Sequence, residues 1–281
     1  MHTNGSTPMD GEPTIDVLPD AEAAAAAAAR LIASALADAV RERGRADWAT
    51  TGGSTPIPIY RSLTLPPLRD LVPWEGVHVW WGDDRMVPRD HPLSNRLPFD
   101  QVLLGAVSTS LGDLPAVPLP EANIHAIPID FALGRFANTD EAAHAAAATY
   151  ESELRAAPLA RSSEGFPVLD VVLVGVGPDG HVFSVFPDSP LFDSPRWVSA
   201  VPAPDHVEPH VARVSLHPRI LVAGRIPVVV VIGAGKASVV TDLLTGRRDV
   251  RRWPAQLARR PGATWFLDEA SAAGPQGHGP A

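Results

Sequence analysis

Cysteine is absent from the chain. Disulfides, thiolate metal sites and a cysteine nucleophile are thereby excluded, and the composition fits a reducing cytoplasm. No uninterrupted apolar run reaches the roughly 18 residues of a membrane span, so no membrane partner is expected. The first residues carry no basic stretch followed by an apolar one, so no secretory signal is expected. Positive charge is in deficit, with 23 Lys and Arg against 32 Asp and Glu and a net charge of −9. That balance disfavours nucleic acid as a partner, and an anionic ligand would need a local basic pocket.

What is present is a long alternation of apolar runs and helical patterns. Residues 1–14 and 271–281 show no periodicity and read as disordered tails, leaving 15–270 as a single α/β domain. Asp20 is a candidate N-cap for an alanine-rich helix that Gly44 closes. Strands are expected at Ala46–Thr50, Val77–Trp81, Ile124–Ile129, Val168–Val174, Val211–Leu216, Val228–Ile232 and Thr264–Leu267. Helices are expected from Pro56, over Thr139–Ala156 and after Lys236. Continuous apolar strands separated by helices predict a largely parallel sheet flanked by helices. In such sheets ligands bind beyond the carboxyl ends of the strands.

Four loops at predicted strand ends carry chemistry. Thr51-Gly-Gly-Ser-Thr-Pro56 has the composition of an anion cradle, with glycines, hydroxyls and a helix start behind them. The same composition suits a capped strand-to-helix turn. Gly82-Asp83-Asp84-Arg85 offers an arginine for an anion and an aspartate to orient a neighbour. Gly175-Val-Gly-Pro-Asp-Gly180 satisfies the dinucleotide fingerprint, but Pro187, Pro190 and Pro195 follow where that fingerprint opens a helix. Pro178-Asp179-Gly180 reads instead as a turn presenting His181, whose imidazole suits a general base. Gly233-Ala-Gly-Lys236 lacks the first glycine and the hydroxyl residue of a phosphate-binding P-loop, although Lys236 can still meet a phosphate. His206, Glu208 and His210 invite a metal reading, but Pro204 and Pro209 break the helix that would align them.

Taken in order, several segments resemble the 6-phosphogluconolactonase family. They are Thr51–Pro56, Gly82–Arg85 with Val87-Pro88, Ser94-Asn95, Gly175–His181 through Phe186-Pro187, Arg213, Gly235-Lys-Ala237, Pro254-Ala255, and Trp265 with Asp268. The resemblance covers about Ile15 to Glu269. It implies the α/β fold shared with glucosamine-6-phosphate deaminases and ribose-5-phosphate isomerases. It also implies hydrolysis of a small-molecule sugar-phosphate lactone, 6-phospho-D-glucono-1,5-lactone, by a cytoplasmic monomer with neither metal nor organic cofactor. Carried over residue by residue, His181 is the catalytic base, with Asp83 or Asp179 fixing its tautomer. Gly53, Ser54, Thr55, Arg85 and Lys236 meet the phosphate, and Gly180 and Arg213 make further substrate contacts. Two departures stand out: the family's Asp-Glu-Arg reads Asp83-Asp84-Arg85, and its Thr-Ala-Ser-Leu-Phe reads Val182-Phe-Ser-Val-Phe186.

Two rival readings use the same fold. A sugar-phosphate isomerase or deaminase would need a carboxylate base. A sugar-phosphate sensor would carry a helix-turn-helix, and only a tail and one helix precede the first predicted strand.

Overall fold

A computed structural model describes residues 11–105, 107–109, 112–114 and 116–274. The strands in chain order are β1 (Thr14–Leu18), β2 (Ala46–Thr50), β3 (Val77–Trp81), β4 (Asp83–Arg85), β5 (Val107–Thr109), β6 (Gly112–Leu114), β7 (Ile124–His125), β8 (Val171–Gly175), β9 (Val198–Val201), β10 (Arg213–Leu216), β11 (Ile226–Val231) and β12 (Thr264–Asp268). The main sheet has the order β1-β12-β11-β8-β2-β3-β7. Every pairing in it is parallel. β8 and β11 are valine-rich and buried over nearly their whole length, as strands covered on both faces must be.

The strand order positions the site. From β2 the chain moves outward to β3 and β7; from β8 it moves the other way, to β11 and β12. β2 and β8 are neighbours, so the loops leaving their carboxyl ends part and leave a crevice between them.

α1 (Ala21–Arg43) covers one face. Asp20 accepts from the Ala23 amide at 2.8 Å and caps its start; Gly44, at φ +71°, closes its end. Alanine brings the helix axis close to the sheet, and Ala24, Ala28, Ile32 and Leu36 are fully buried. By length and hydropathy α1 is apolar enough to cross a membrane, but more than half of that stretch is buried inside the protein. It is a core helix here. The helix Thr139–Ala156 packs nearby and buries Tyr150, whose hydroxyl accepts from the Trp81 amide at 2.8 Å and donates to the Trp81 carbonyl at 3.1 Å. That bridge fixes the last residue of β3 immediately before the Gly82-Asp83 loop. Tyr150→Phe leaves two buried backbone groups unpaired and is expected to lower stability by about 1–3 kcal/mol, measured by denaturant unfolding.

Several expectations need correction. β7 ends at His125 rather than Ile129, because Pro128 has no amide for the ladder and Ile129 opens a helix, Ile129–Arg135. β10 is not in the parallel sheet. It forms a separate antiparallel sheet, β4-β10-β9, with two strands that the sequence pattern does not reveal. β1 begins at Thr14, the last residue assigned to the N-terminal tail, and pairs with β12. At the other end Ser271 is fully buried in a short helix, Glu269–Ala272, its hydroxyl donating to the Val231 carbonyl at 2.8 Å. The domain therefore runs past 270. The remainder of the expected tails, 1–10 and 275–281, lies outside the described residues.

Candidate active site

The crevice at the switch point is a cleft of about 480 Å³. Its walls come from the ends of four adjacent strands, β3, β2, β8 and β11, and from the small antiparallel sheet. Of the residues singled out from sequence, Gly53, Ser54, Thr55, Asp83, Arg85, His181, Arg213 and Lys236 line it. They come from segments up to about 180 residues apart in the chain, so the fold alone assembles them.

The Gly175–His181 segment is a closed turn. The Gly177 amide donates to the His181 carbonyl at 2.9 Å, and the Gly180 amide donates to the Gly177 carbonyl at 3.1 Å. Gly180 takes φ +80° there, a conformation that only glycine adopts without strain. The turn brings the Asp179 carboxylate back onto its own loop: its Oδ1 lies 2.5 Å from Nδ1 of His181 and 3.2 Å from the His181 amide. With Asp179 ionised, Nδ1 carries the hydrogen and donates it, which leaves Nε2 as the free base nitrogen. Burial alone would raise the Asp179 carboxyl, but the hydrogen bond and charge of His181 and the nearby amides outweigh it and hold the group at about 2.

That depression makes Asp179 a source of stability above the ordinary carboxylate range, lost as pH falls through about 2. Acid unfolding of Asp179→Asn is accordingly expected to be less steep between about pH 4 and pH 2 than that of the unaltered protein. Parallel acid titrations of both proteins, followed by circular dichroism, check this.

Asp83 does not touch His181. Its Oδ2 accepts from Ser184 Oγ at 2.6 Å and its Oδ1 from Asn95 Nδ2 at 3.1 Å, and it is almost wholly buried. Of the two aspartates expected to orient the imidazole, Asp179 is in place and Asp83 instead braces the β4 wall. Gly180 is likewise not a lining residue. A Cβ there would meet the Trp253 ring at 2.7 Å, and its carbonyl accepts from the Ala255 amide at 2.9 Å, so it anchors the turn to the Trp253-Pro254-Ala255 segment.

Three cations face the cleft. Arg85 donates through Nη1 to the Leu93 carbonyl at 3.1 Å and to Asn95 Oδ1. Arg213 is nearly fully buried and donates to the Pro209 carbonyl at 3.0 Å. The Nε of each guanidinium is buried without a hydrogen-bond partner among the described residues. Burial lowers the Arg213 guanidinium from its ordinary value, offset in part by the charge of Asp83. Lys236 Nζ donates to the Val176 carbonyl at 2.9 Å, and burial lowers its ammonium while Asp179 draws it back up. Incompletely paired guanidinium groups at low exposure favour an anion, despite the net charge of the whole protein.

Three supporting residues were not assigned roles from sequence. Asn95 ties Asp83 to Arg85, and a Cβ on Gly52 would fall 1.7 Å from its Oδ1, so Gly52 is glycine to admit it. Ser184 holds Asp83. Asp268 accepts the Gly233 amide at 3.0 Å and so fixes the loop that carries Lys236. Asn95 and Asp268 stood in the matching segments, but only the fold shows what they contact. Val182 is fully buried in the core, and Phe183, at φ +53°, packs its ring where a Cβ of Gly82 would lie. In the second departure from the family pattern, Val182 thus fills core space, while Phe183 also lines the cleft. His206 and His210 point apart, His206 to Asp179 at 3.3 Å and His210 to Glu208 at 3.0 Å.

A signature of glucosamine-6-phosphate isomerases/6-phosphogluconolactonase matches residues 19–266. The chain is 33% identical over 262 residues to the 6-phosphogluconolactonase of a Nostoc species, covering 92% of this chain and 97% of that one. It is 32% identical over 265 residues to that of Streptomyces coelicolor, covering 94% and 95%. Among solved structures, the 6-phosphogluconolactonase of Trypanosoma brucei superposes with a TM-score of 0.79 at 27% identity, over 93% of this chain and 98% of the other. A monomeric glucosamine-6-phosphate deaminase shares the fold at a TM-score of 0.70 and 16% identity. The α/β fold expected from sequence is the one observed, and the chain belongs to the glucosamine-6-phosphate isomerase/6-phosphogluconolactonase family.

Proposed function

We infer that the protein hydrolyses 6-phospho-D-glucono-1,5-lactone to 6-phosphogluconate, the lactone-opening step of the oxidative pentose phosphate pathway, as a cytoplasmic monomer. The observation that carries the reading is an imidazole–carboxylate pair, His181 with Asp179, beside a cleft faced by Arg85, Arg213 and Lys236. A base for water and a cationic seat for a phosphate are what this reaction needs. Isomerisation would need a free carboxylate base; of the two carboxylates lining the cleft, Asp83 is held by Ser184 and Asn95, and Glu208 is paired with His210 at 3.0 Å.

In this mechanism Nε2 of His181 takes a proton from water as its oxygen adds to the lactone carbonyl. The resulting oxyanion collapses, the bond from C1 to the ring oxygen breaks, and the imidazolium returns the proton to that oxygen. Asp179 stabilises the imidazolium between the two transfers. Backbone amides of the glycine loops are the donors for the oxyanion. Arg85, Lys236 and the Gly53–Thr55 loop hold the phosphate and so place the ring over His181.

The test is a coupled assay in which the lactone is generated enzymatically and 6-phosphogluconate is followed above the spontaneous rate. Turnover of glucosamine 6-phosphate without acceleration on the lactone would overturn the reading. Lys236→Ala is expected to raise KM by roughly tenfold or more, as loss of a charge-assisted contact does, with a smaller change in kcat. An equal loss on an unphosphorylated lactone would show that Lys236 does not meet the phosphate.

A further inference from the structure

The Asp179 carboxylate has two oxygens, and each meets a different histidine. Oδ1 takes His181 Nδ1 at 2.5 Å; Oδ2 lies 3.3 Å from Nε2 of His206. The Phe186 ring touches both imidazoles, tilted against His181 at 4.8 Å between centroids and edge-on to His206 at 5.3 Å. His206 comes from the irregular segment between β9 and β10, which has no ladder to fix it. The next two residues of that segment, Val207 and Glu208, line the cleft, while His206 turns away from it to Asp179.

We propose that His206 is a positioning residue: it holds Asp179 from the side opposite His181 and so sets both the orientation and the proton affinity of the catalytic imidazole. The proposal rests on His181 being the base. Both contacts from His181, its Nδ1 and its amide, fall on Oδ1 of Asp179, so they leave Oδ2 and the rotation of the carboxylate about that oxygen to a separate donor, which His206 supplies. That donor also draws negative charge from the carboxylate, leaving less to stabilise the His181 imidazolium. The charged groups facing His206 are Asp179 on the glycine-loop turn and Asp205 on its own segment, 3.3 Å from Nδ1. Beyond Asp179 stand His181 and the two cations on which Asp179 acts by charge, Lys236 and Arg213.

The sign follows. Without His206, the full charge of Asp179 acts on His181 and raises its proton affinity, so the acid limb of the kcat/KM profile moves to higher pH. The experiment measures kcat and KM over pH 5–9 for the unaltered protein, H206A, H206Q, D179A and the H206A/D179A double variant, with thermal melts as a check on folding. H206A is expected to lower kcat about fivefold, the effect of one net hydrogen bond, with KM changed less than about twofold and the acid limb raised. H206Q, whose amide reaches the same oxygen, recovers most of kcat. In the D179A background H206A adds nothing, because its effect runs through that carboxylate. An H206A protein with unaltered kcat and pH profile, or an equal loss in the D179A background, would overturn the proposal. Retention of kcat by H181A would sink the base assignment instead, so the two failures are distinguishable.

Discussion

His181→Ala is expected to lower kcat by about 10²–10⁴-fold while KM stays within a few-fold. The asymmetry follows from where the side chain sits. Its ring lines the cleft, but the cations suited to a phosphate come from other elements: Arg85 from β4, Arg213 from β10 and Lys236 from the loop after β11. Removing the imidazole takes away the proton acceptor and leaves the anion seat intact. The residual rate should come from positioning and from backbone donors. Because the lactone also opens spontaneously, the measurement needs subtraction of the uncatalysed rate at each pH. A variant with near-normal kcat would exclude His181 as the base.

Gly177→Ala should be nearly as damaging, with little loss of stability. A Cβ on Gly177 would fall 2.0 Å from Nδ1 and 2.2 Å from Cε1 of His181. The backbone at Gly177 is not in the left-handed region, so alanine is tolerated there conformationally. The ring must then swing away, breaking its bond to Asp179 and displacing Nε2. A displacement of about 1 Å costs on the order of 10²-fold in rate, whereas the melting temperature should fall only a few degrees. Gly180→Ala supplies the contrast. There φ is +80° and the added carbon meets Trp253 at 2.7 Å, so stability should fall along with activity. Equal loss of melting temperature in both variants would mean that the Gly177 clash is resolved by the backbone rather than by the imidazole.

Much of the main sheet was legible. β2, β3, the helix from Pro56 and the helix Thr139–Ala156 begin where the sequence predicted, and the three given both bounds, β2, β3 and Thr139–Ala156, also end there. Their signals are local: continuous apolar runs, a helical period and a proline at a helix start. The second sheet was not legible. β4 is only Asp83-Asp84-Arg85, which reads as a charged loop, and its pairing partner β10 lies more than 120 residues further on. Three-residue strands carry no period, and their hydrogen bonds depend on a partner that local sequence does not name.

The site divides in the same way. Order and spacing identified His181, Arg85, Lys236 and the Thr51–Pro56 loop, because glycines, a turn and a strand end mark such positions locally. Sequence left two aspartates open for the imidazole. Only the closed turn at Gly177–His181, with Gly180 at positive φ, brings Asp179 back to Nδ1, while Ser184, 101 residues from Asp83, holds that second carboxylate away. His206 illustrates the limit most sharply: its neighbours suggested at most a weak metal motif, and its contact with Asp179 crosses 27 positions of chain. The sequence by itself determined most of the main sheet, its parallel class and the family, since periodicity and turn chemistry act over a few residues. Which carboxylate meets His181, which arginines share a wall and what braces them were decided by tertiary structure, because a hydrogen bond between side chains requires a position in space that no short segment specifies.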